Sequence, residues 1–184
     1  MSDGDWRQLR GTKISMIFQN PSAHLNPNRT VENHFKDLFR AHDESYDVSR
    51  VINMLQLVHL TDGERILQSY PFQLSGGMQQ RLAIALSLIL KPSIVFADEP
   101  TSALDMLVQA SVLDLMKEVT QALGATVIIV THNIKSAAQI ANSIGVMNKG
   151  QLVEVGSTEE VMACPKDEYC LLYTSPSPRD VEES

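Results

Sequence analysis

The sequence predicts an α/β protein built on a mainly parallel sheet, and three observations carry that prediction. Short apolar, β-branched runs at Lys13–Phe18, Ser93–Ala97 and Thr126–Val130 alternate with longer stretches of helical periodicity. Polar residues follow two of these runs abruptly, Asp98-Glu99 after the second and Thr131-His132 after the third. In open parallel sheets chemistry collects beyond the carboxyl ends of strands, where those residues would emerge.

The totals set the class. A chain of 184 residues, 43% hydrophobic and 20% charged, is long enough for one domain with a real core and ordinary for a soluble globular protein. A net charge of -7 argues against general nucleic-acid binding, which needs a basic face. It does not exclude a nucleotide, which is held by local backbone donors. The cysteines, Cys164 and Cys170, are too few for a disulfide framework and fit a reducing compartment. The sequence has no signal peptide, and its apolar run LAIALSLIL is too short to span a bilayer. A cytoplasmic location is expected, with membrane contact only through partners.

Taken in order, Lys13–Phe18 reads as a strand, and Gln19 follows it before the turn signals Asn20-Pro21 and Pro27. Val31–Arg40 carries Val31, Phe35, Leu38 and Phe39 at helical spacing. Asp47 or Ser49 is suited to cap a second helix holding Val51, Ile52, Leu55 and Val58. Phe35, Phe39, Phe72 and the methionines are expected in the core on burial preference. Ser75 precedes Gly76-Gly77 and a helix-compatible run, and Ser93–Ala97 is expected to be a buried strand. Leu107–Leu123 places Val108, Val112, Leu115, Met116 and Val119 on one face, with Gly124 as C-cap. Thr126–Val130 is expected to be another buried strand. Ile144–Met147 and Leu152–Val155 form a hairpin around Asn148-Lys149-Gly150.

Two stretches carry chemistry. In LSGGMQQR (Leu74–Arg81), a serine N-cap and paired glycines leave helix-start N–H groups open to an anion such as a phosphate; an ordinary capped helix is the alternative. In IVFADEP, adjacent acids at a strand end suit a magnesium nucleotide, Asp98 holding the metal or its water and Glu99 orienting or deprotonating the attacking water; a plain helix cap is the alternative. Gln19 reads in isolation as a loop-capping amide, and His132 as a helix-start residue.

LSGGMQQR, IVFADEP, SALD, Gln19 at the end of KISMIFQNP, and His132 after an apolar strand together resemble the ATP-binding subunits of ABC transporters. QNPSAHLNP and DEPTSALDMLVQA most resemble subunits driving oligopeptide and dipeptide import. The resemblance covers roughly Gly11 to Val161. It implies a partial P-loop NTPase core with an inserted helical subdomain. Residues 1–19 would be core ending in the Q-loop, 20–90 the helical part ending in the signature motif and its helix, and 91–163 core with Walker B, D-loop and H-loop. Residues 164–184 would be a tail outside the fold.

The cofactors implied are ATP and Mg2+. The resemblance assigns magnesium to Asp98 and Gln19, catalysis to Glu99, Gln19 and His132, and nucleotide contact to Ser75, Gly76, Gly77, Gln79 and Asp105. The partners implied are a second ATPase subunit arranged head to tail, permease subunits at the inner face of the cell membrane, and indirectly an extracytoplasmic solute-binding protein. A different cargo such as nickel, a non-transport ABC ATPase and a catalytically inactive fragment are the competing readings.

One departure is large. The 184 residues contain no G-x-x-x-x-G-K-[ST] loop, and Gly11-Thr12-Lys13 leads into a strand rather than a helix. The expectation is a fragment of a longer subunit, inactive alone. The stretch YTSPSPRDVEES is polar and proline-interrupted, resembles no family terminus, and is expected to lie outside the fold.

Overall fold

The computed structural model describes residues 6, 9–102, 106–167 and 170. They belong to two compact units, Met1–Val130 and Thr131–Ser184, so the segment 91–163 is shared between the units.

In the first unit, β1 (Ile14–Ile17), β2 (Ile94–Asp98) and β3 (Thr126–Val130) form a parallel sheet in the order β1-β2-β3. The register aligns Ile17 with Ala97 and Asp98 with Val130, so all three strands end at one edge. Ile17, Val95 and Ala97 are buried on one face. On the other, Met16, Phe96 and Ile128 share a register row yet are 42%, 37% and 44% exposed. The expectation of strands buried throughout is therefore corrected. Their apolar runs suit a sheet covered on both sides, and among the described residues only one side is closed over.

The helices are α1 (Pro21–His24), α2 (Val31–Ala41), α3 (Val48–Leu57), α4 (Gly63–Gln68), α5 (Gly76–Leu88) and α6 (Met106–Leu123), with a 3-10 turn at Pro71–Gln73. Local chemistry fixes their ends. Thr30 caps α2 by accepting from Asn33 N, and Asp47 caps α3 by accepting from Ser49 N and Arg50 N at 2.9 and 3.1 Å. After α6, Gly124 takes φ 66° while its N–H bonds Gln121 O and that of Ala125 bonds Thr120 O, a Schellman closure.

The core gathers Phe35 and Phe39 from α2, Val51 and Leu55 from α3, Leu82, Ile84 and Leu88 from α5, and Leu115, Met116 and Val119 from α6. Arg50 joins two of these helices. Its Nη2 donates to Ile89 O, the C-cap of α5, and its Nη1 lies 2.6 Å from Glu44 Oε2. Phe72 is not core: it is 68% exposed and stacks on Tyr70 with ring centroids 5.5 Å apart. Pro71 takes the buried position in that turn, which turns Phe72 outward. Met16 and Met147 are likewise exposed, whereas Met54 and Met116 are buried.

The second unit holds α7 (Ile134–Ile140) and then pairs β4 (Ser143–Asn148) with β5 (Gln151–Ser157) antiparallel, with α8 (Thr158–Ala163) against the hairpin. Lys149 and Gly150 both have positive φ, 48° and 78°, the backbone a two-residue primed hairpin turn requires. Glu154 of β5 is nearly buried. Its carboxylate accepts from the N–H groups of Lys166 and Asp167 at 3.0 and 3.1 Å, and from the Cys170 thiol. Of the stretch 164–184 read as a tail, residues 164–167 and 170 are described, and Lys166, Asp167 and Cys170 bond Glu154; 168, 169 and 171–184 lie outside the described residues.

Candidate functional site

The signature stretch is built as a capped helix with an open mouth. Ser75 is the N-cap of α5, at φ -64° and ψ 161°, and its Oγ accepts from Met78 N at 3.3 Å. Ser75 and Gly76 are exposed, and a Cβ added at Gly76 would meet nothing within 4 Å. A molecule can therefore approach the backbone N–H groups of the first turn directly.

Gln79, expected at the nucleotide, is occupied locally. Its Nε2 donates to Pro71 O at 2.9 Å and to Leu74 O at 3.1 Å. Both amide hydrogens hold the preceding 3-10 turn against the helix, and the side-chain oxygen is the group left to face a ligand.

The acids stand at the sheet edge. Asp98 closes β2, and Glu99 follows with φ 45°. A left-handed conformation is costly for a residue with a Cβ, on the order of 1–2 kcal/mol. It is held from both sides: Glu99 N donates to Val130 O at 2.8 Å, and Glu99 O accepts from Ser102 N and Ser102 Oγ at 3.2 and 3.1 Å. Such strain, fixed by surrounding bonds, is typical of functional positions. Gln19 is exposed in the bend after β1. Because Ile17 pairs with Ala97, Gln19 and Glu99 each lie two residues beyond a matched pair on adjacent strands. The sheet thus brings Gln19, Asp98 and Glu99 to one edge.

His132 belongs to the second unit and is exposed. It does not cap the helix that follows. Asn133 does, its Oδ1 accepting from Ser136 N at 3.1 Å, while Thr131 Oγ1 accepts from Asn133 N. Asp105 lies outside the described residues. Two contacts escaped the sequence reading. Arg81 Nη1 donates to Val58 O at 3.2 Å, and its Nη2 donates to Ser111 Oγ at 2.8 Å. They span 23 and 30 residues, a separation no local pattern signals.

Among the described residues no group of three or more His, Cys, Asp or Glu side chains is placed to hold a metal ion. No described helix is long and apolar enough to cross a membrane.

Comparison with known proteins gives a consistent outcome. Residues 1–102 match the family described as ABC transporter. The oligopeptide transport ATP-binding protein OppD of Lactococcus lactis subsp. cremoris is 40% identical over 180 residues, covering 95% of this chain and 53% of that protein. The dipeptide transport ATP-binding protein DppD of Bacillus subtilis is 41% identical over 172 residues, 92% of this chain and 51% of that one. The chain thus spans about half the length of the curated relatives it matches. Among solved structures, the ATP-binding cassette MJ0796, a dimer in a post-hydrolysis state bound to ADP and Pi, superposes with a TM-score of 0.71 at 30% identity. That match covers 86% of this chain and 68% of the other. CbiO1 from Clostridium perfringens, part of the complex cbiONQ, gives 0.71 at 29% identity, covering 83% and 60%.

Proposed function

This chain belongs to the ABC transporter family, and from that premise we propose that it forms part of an ATP-hydrolysing subunit that drives uptake of oligopeptides or dipeptides. The observation that carries the reading is the pairing of an open, serine-capped helix start at Ser75–Gly77 with two acids at a strand edge, Asp98 and the strained Glu99. One half suits a bound phosphate and the other suits an attacking water. The peptide cargo is supported by the names of the relatives that resemble this chain over nearly all its length.

In this proposal the two halves serve different nucleotides. Two subunits pair head to tail, and Ser75 with the N–H groups of Gly76 and Gly77 faces the terminal phosphate held by the opposite subunit. Glu99 orients and deprotonates the water at its own subunit's nucleotide, and His132 contacts the terminal phosphate there. Asp98 and Gln19 hold the cation. A carboxylate and an amide oxygen suit magnesium, which keeps several waters and shares phosphate oxygens rather than filling a protein cage. Magnesium held there would supply neutralisation of phosphate charge. The sequence holds no phosphate-cradling G-x-x-x-x-G-K-[ST], so these residues supply the acids and the signature but not the cradle. Location at the inner face of a membrane, through permease subunits, belongs to the same proposal.

The test is a mixed assay. A full-length relative whose own signature serine and glycines are disabled keeps its cradle and acids but lacks a partner signature. Added to it, this chain should restore part of the ATP hydrolysis, and Ser75→Arg should abolish the gain. Donors of this kind are worth roughly 10²–10³ in rate where they have been removed from other enzymes. A folded chain that associates with the relative yet restores nothing overturns the role given to Ser75.

A further inference from the structure

We propose that Arg81 is a positioning residue that makes the start of α5 and the first turns of α6 move as one body, so that Ser75 reaches a composite nucleotide site only in step with α6. The inference rests on the trans role of Ser75 proposed above. Its geometry lies wholly within the first unit.

Two helices meet here along a seam. A methyl group added at Gly77 would sit 3.4 Å from Val108 Cγ1, so the first turn of α5 lies close to the first turn of α6. One turn further along both, Arg81 Nη2 donates to Ser111 Oγ at 2.8 Å. Gly77 and Arg81 are four residues apart and Val108 and Ser111 three apart, the spacings that keep side chains on one helix face. The seam is closed by a third element. Arg81 Nη1 donates to Val58 O, the C-cap of α3, at 3.2 Å. The next residue, His59, adopts φ 59° and places Nε2 3.5 Å from Glu118 Oε2. Glu118 stands seven residues, two helical turns, beyond Ser111 on α6. The corner Val58-His59, α5 and α6 therefore form a three-way junction with the Arg81 guanidinium at its centre.

A guanidinium fits this task because it is a planar fork that donates in two directions at once. An ammonium is a point donor on a flexible stem and does not span two fixed acceptors in the same way. The seam also starts where function is concentrated. Ser75 lies six residues before Arg81, and Asp98 and Glu99 precede α6 in the chain by less than ten residues. Any displacement of the opposite subunit that presses on Ser75 is carried through Arg81 to α6.

Two measurements test this. In the 184-residue chain alone, amide hydrogen exchange should quicken roughly three- to tenfold for residues 79–82 and 110–113 together in Ser111→Ala, which loses one hydrogen bond, and at least as much in Arg81→Ala, which loses that bond and the one to Val58 O. The double variant should show no more than Arg81→Ala, Ser111→Thr should match the wild type, and Arg81→Lys should resemble Arg81→Ala. Quickening confined to α5, or effects that add, overturns the proposal. Should Arg81→Ala fail to fold, Ser111→Ala removes the same bond from an exposed side chain. In the mixed assay, Arg81→Ala and Ser111→Ala should lower the restored kcat while KM for ATP stays constant, because the nucleotide is held by the relative's own cradle. A restored kcat equal to wild type also overturns it. If the wild-type chain restores no activity, the trans reading of Ser75 falls, and the exchange pattern alone decides whether Arg81 couples the two helices.

Discussion

Glu99 is tied to Val130 by a 2.8 Å hydrogen bond from its backbone N–H, and it makes that bond in a left-handed conformation, φ 45°. The contact joins the end of β2 to the end of β3 one step past the Asp98–Val130 register pair. It fixes where the second acid leaves the sheet, and Ser102 secures the carbonyl on the other side.

A comparison of two substitutions isolates this strain. Glu99→Ala and Glu99→Gly both discard the carboxylate and its contacts, but only alanine retains a Cβ in the left-handed region. Glu99→Gly should be the more stable by about 1 kcal/mol, the reverse of the usual order in regular structure. Urea denaturation of the two variants checks it. Equal stability, or alanine ahead, would show that Glu99 does not hold this backbone angle in solution.

Glu154 makes the second unit sensitive to acid. The Cys170 thiol, then the N–H groups of Asp167 and Lys166, hold its carboxyl below the usual glutamate range. The folded value lies below the unfolded one, so the stabilisation is complete above the unfolded pKa and is lost as pH falls through the folded value. Exchange of the Lys166 and Asp167 amides should therefore be slow at neutral pH and rise only at pH values below the normal carboxylate range. Glu154→Gln should show the fast exchange at every pH. A wild-type profile in that variant would remove the carboxylate from this role.

The same contact separates the two thiols. Burial, and then Glu154, push the Cys170 thiol up to about 11, whereas Cys164 is exposed. At pH 8 a thiol reagent should modify Cys164 quickly and Cys170 slowly, since the thiolate is the reacting form. Glu154→Gln should hasten Cys170 labelling only in part, because burial is the larger cause. Equal rates for both cysteines in the wild type would contradict the packing.

Much of this architecture was legible because it depends on neighbours in sequence. Asp47 caps its helix through residues two and three positions on, Gly124 closes α6, and Lys149-Gly150 turns the hairpin through backbone angles that residue type permits. Ser157-Thr158-Glu159-Glu160 is a capping box, with Ser157 Oγ accepting from Glu160 N and Glu160 Oε2 from Ser157 N. What was not legible depends on distant partners. Phe72 looked like core because aromatic residues usually are, but its turn buries Pro71 instead. The strands read as buried because apolar pattern records what a face is suited to, not whether a layer covers it. The resemblance places Gln79 in the signature stretch, and only its contacts with Pro71 and Leu74 reveal the structural use of its amide.

Glu99 also permits a direct test of the proposed chemistry. Fused behind the preceding segment of one of its longer relatives, this sequence would gain a phosphate cradle, and turnover could be measured in one chain. Glu99→Gln keeps the shape of the side chain and leaves Asp98 charged, so nucleotide affinity should stay within about twofold, well under the ~1.4 kcal/mol of a tenfold change. Losing the general base should lower kcat by ~10²–10⁴. Glutamine also keeps a Cβ at the strained position, so variant and wild type share one backbone cost and differ mainly in charge. Nucleotide binding and steady-state phosphate release, measured on the same preparations, separate the two effects. If release stays near wild type while binding is unchanged, Glu99 is not the base, and its strained conformation serves the strand ends alone. If binding falls along with release, Glu99 shares the cation with Asp98, and the division of labour between the two acids is wrong.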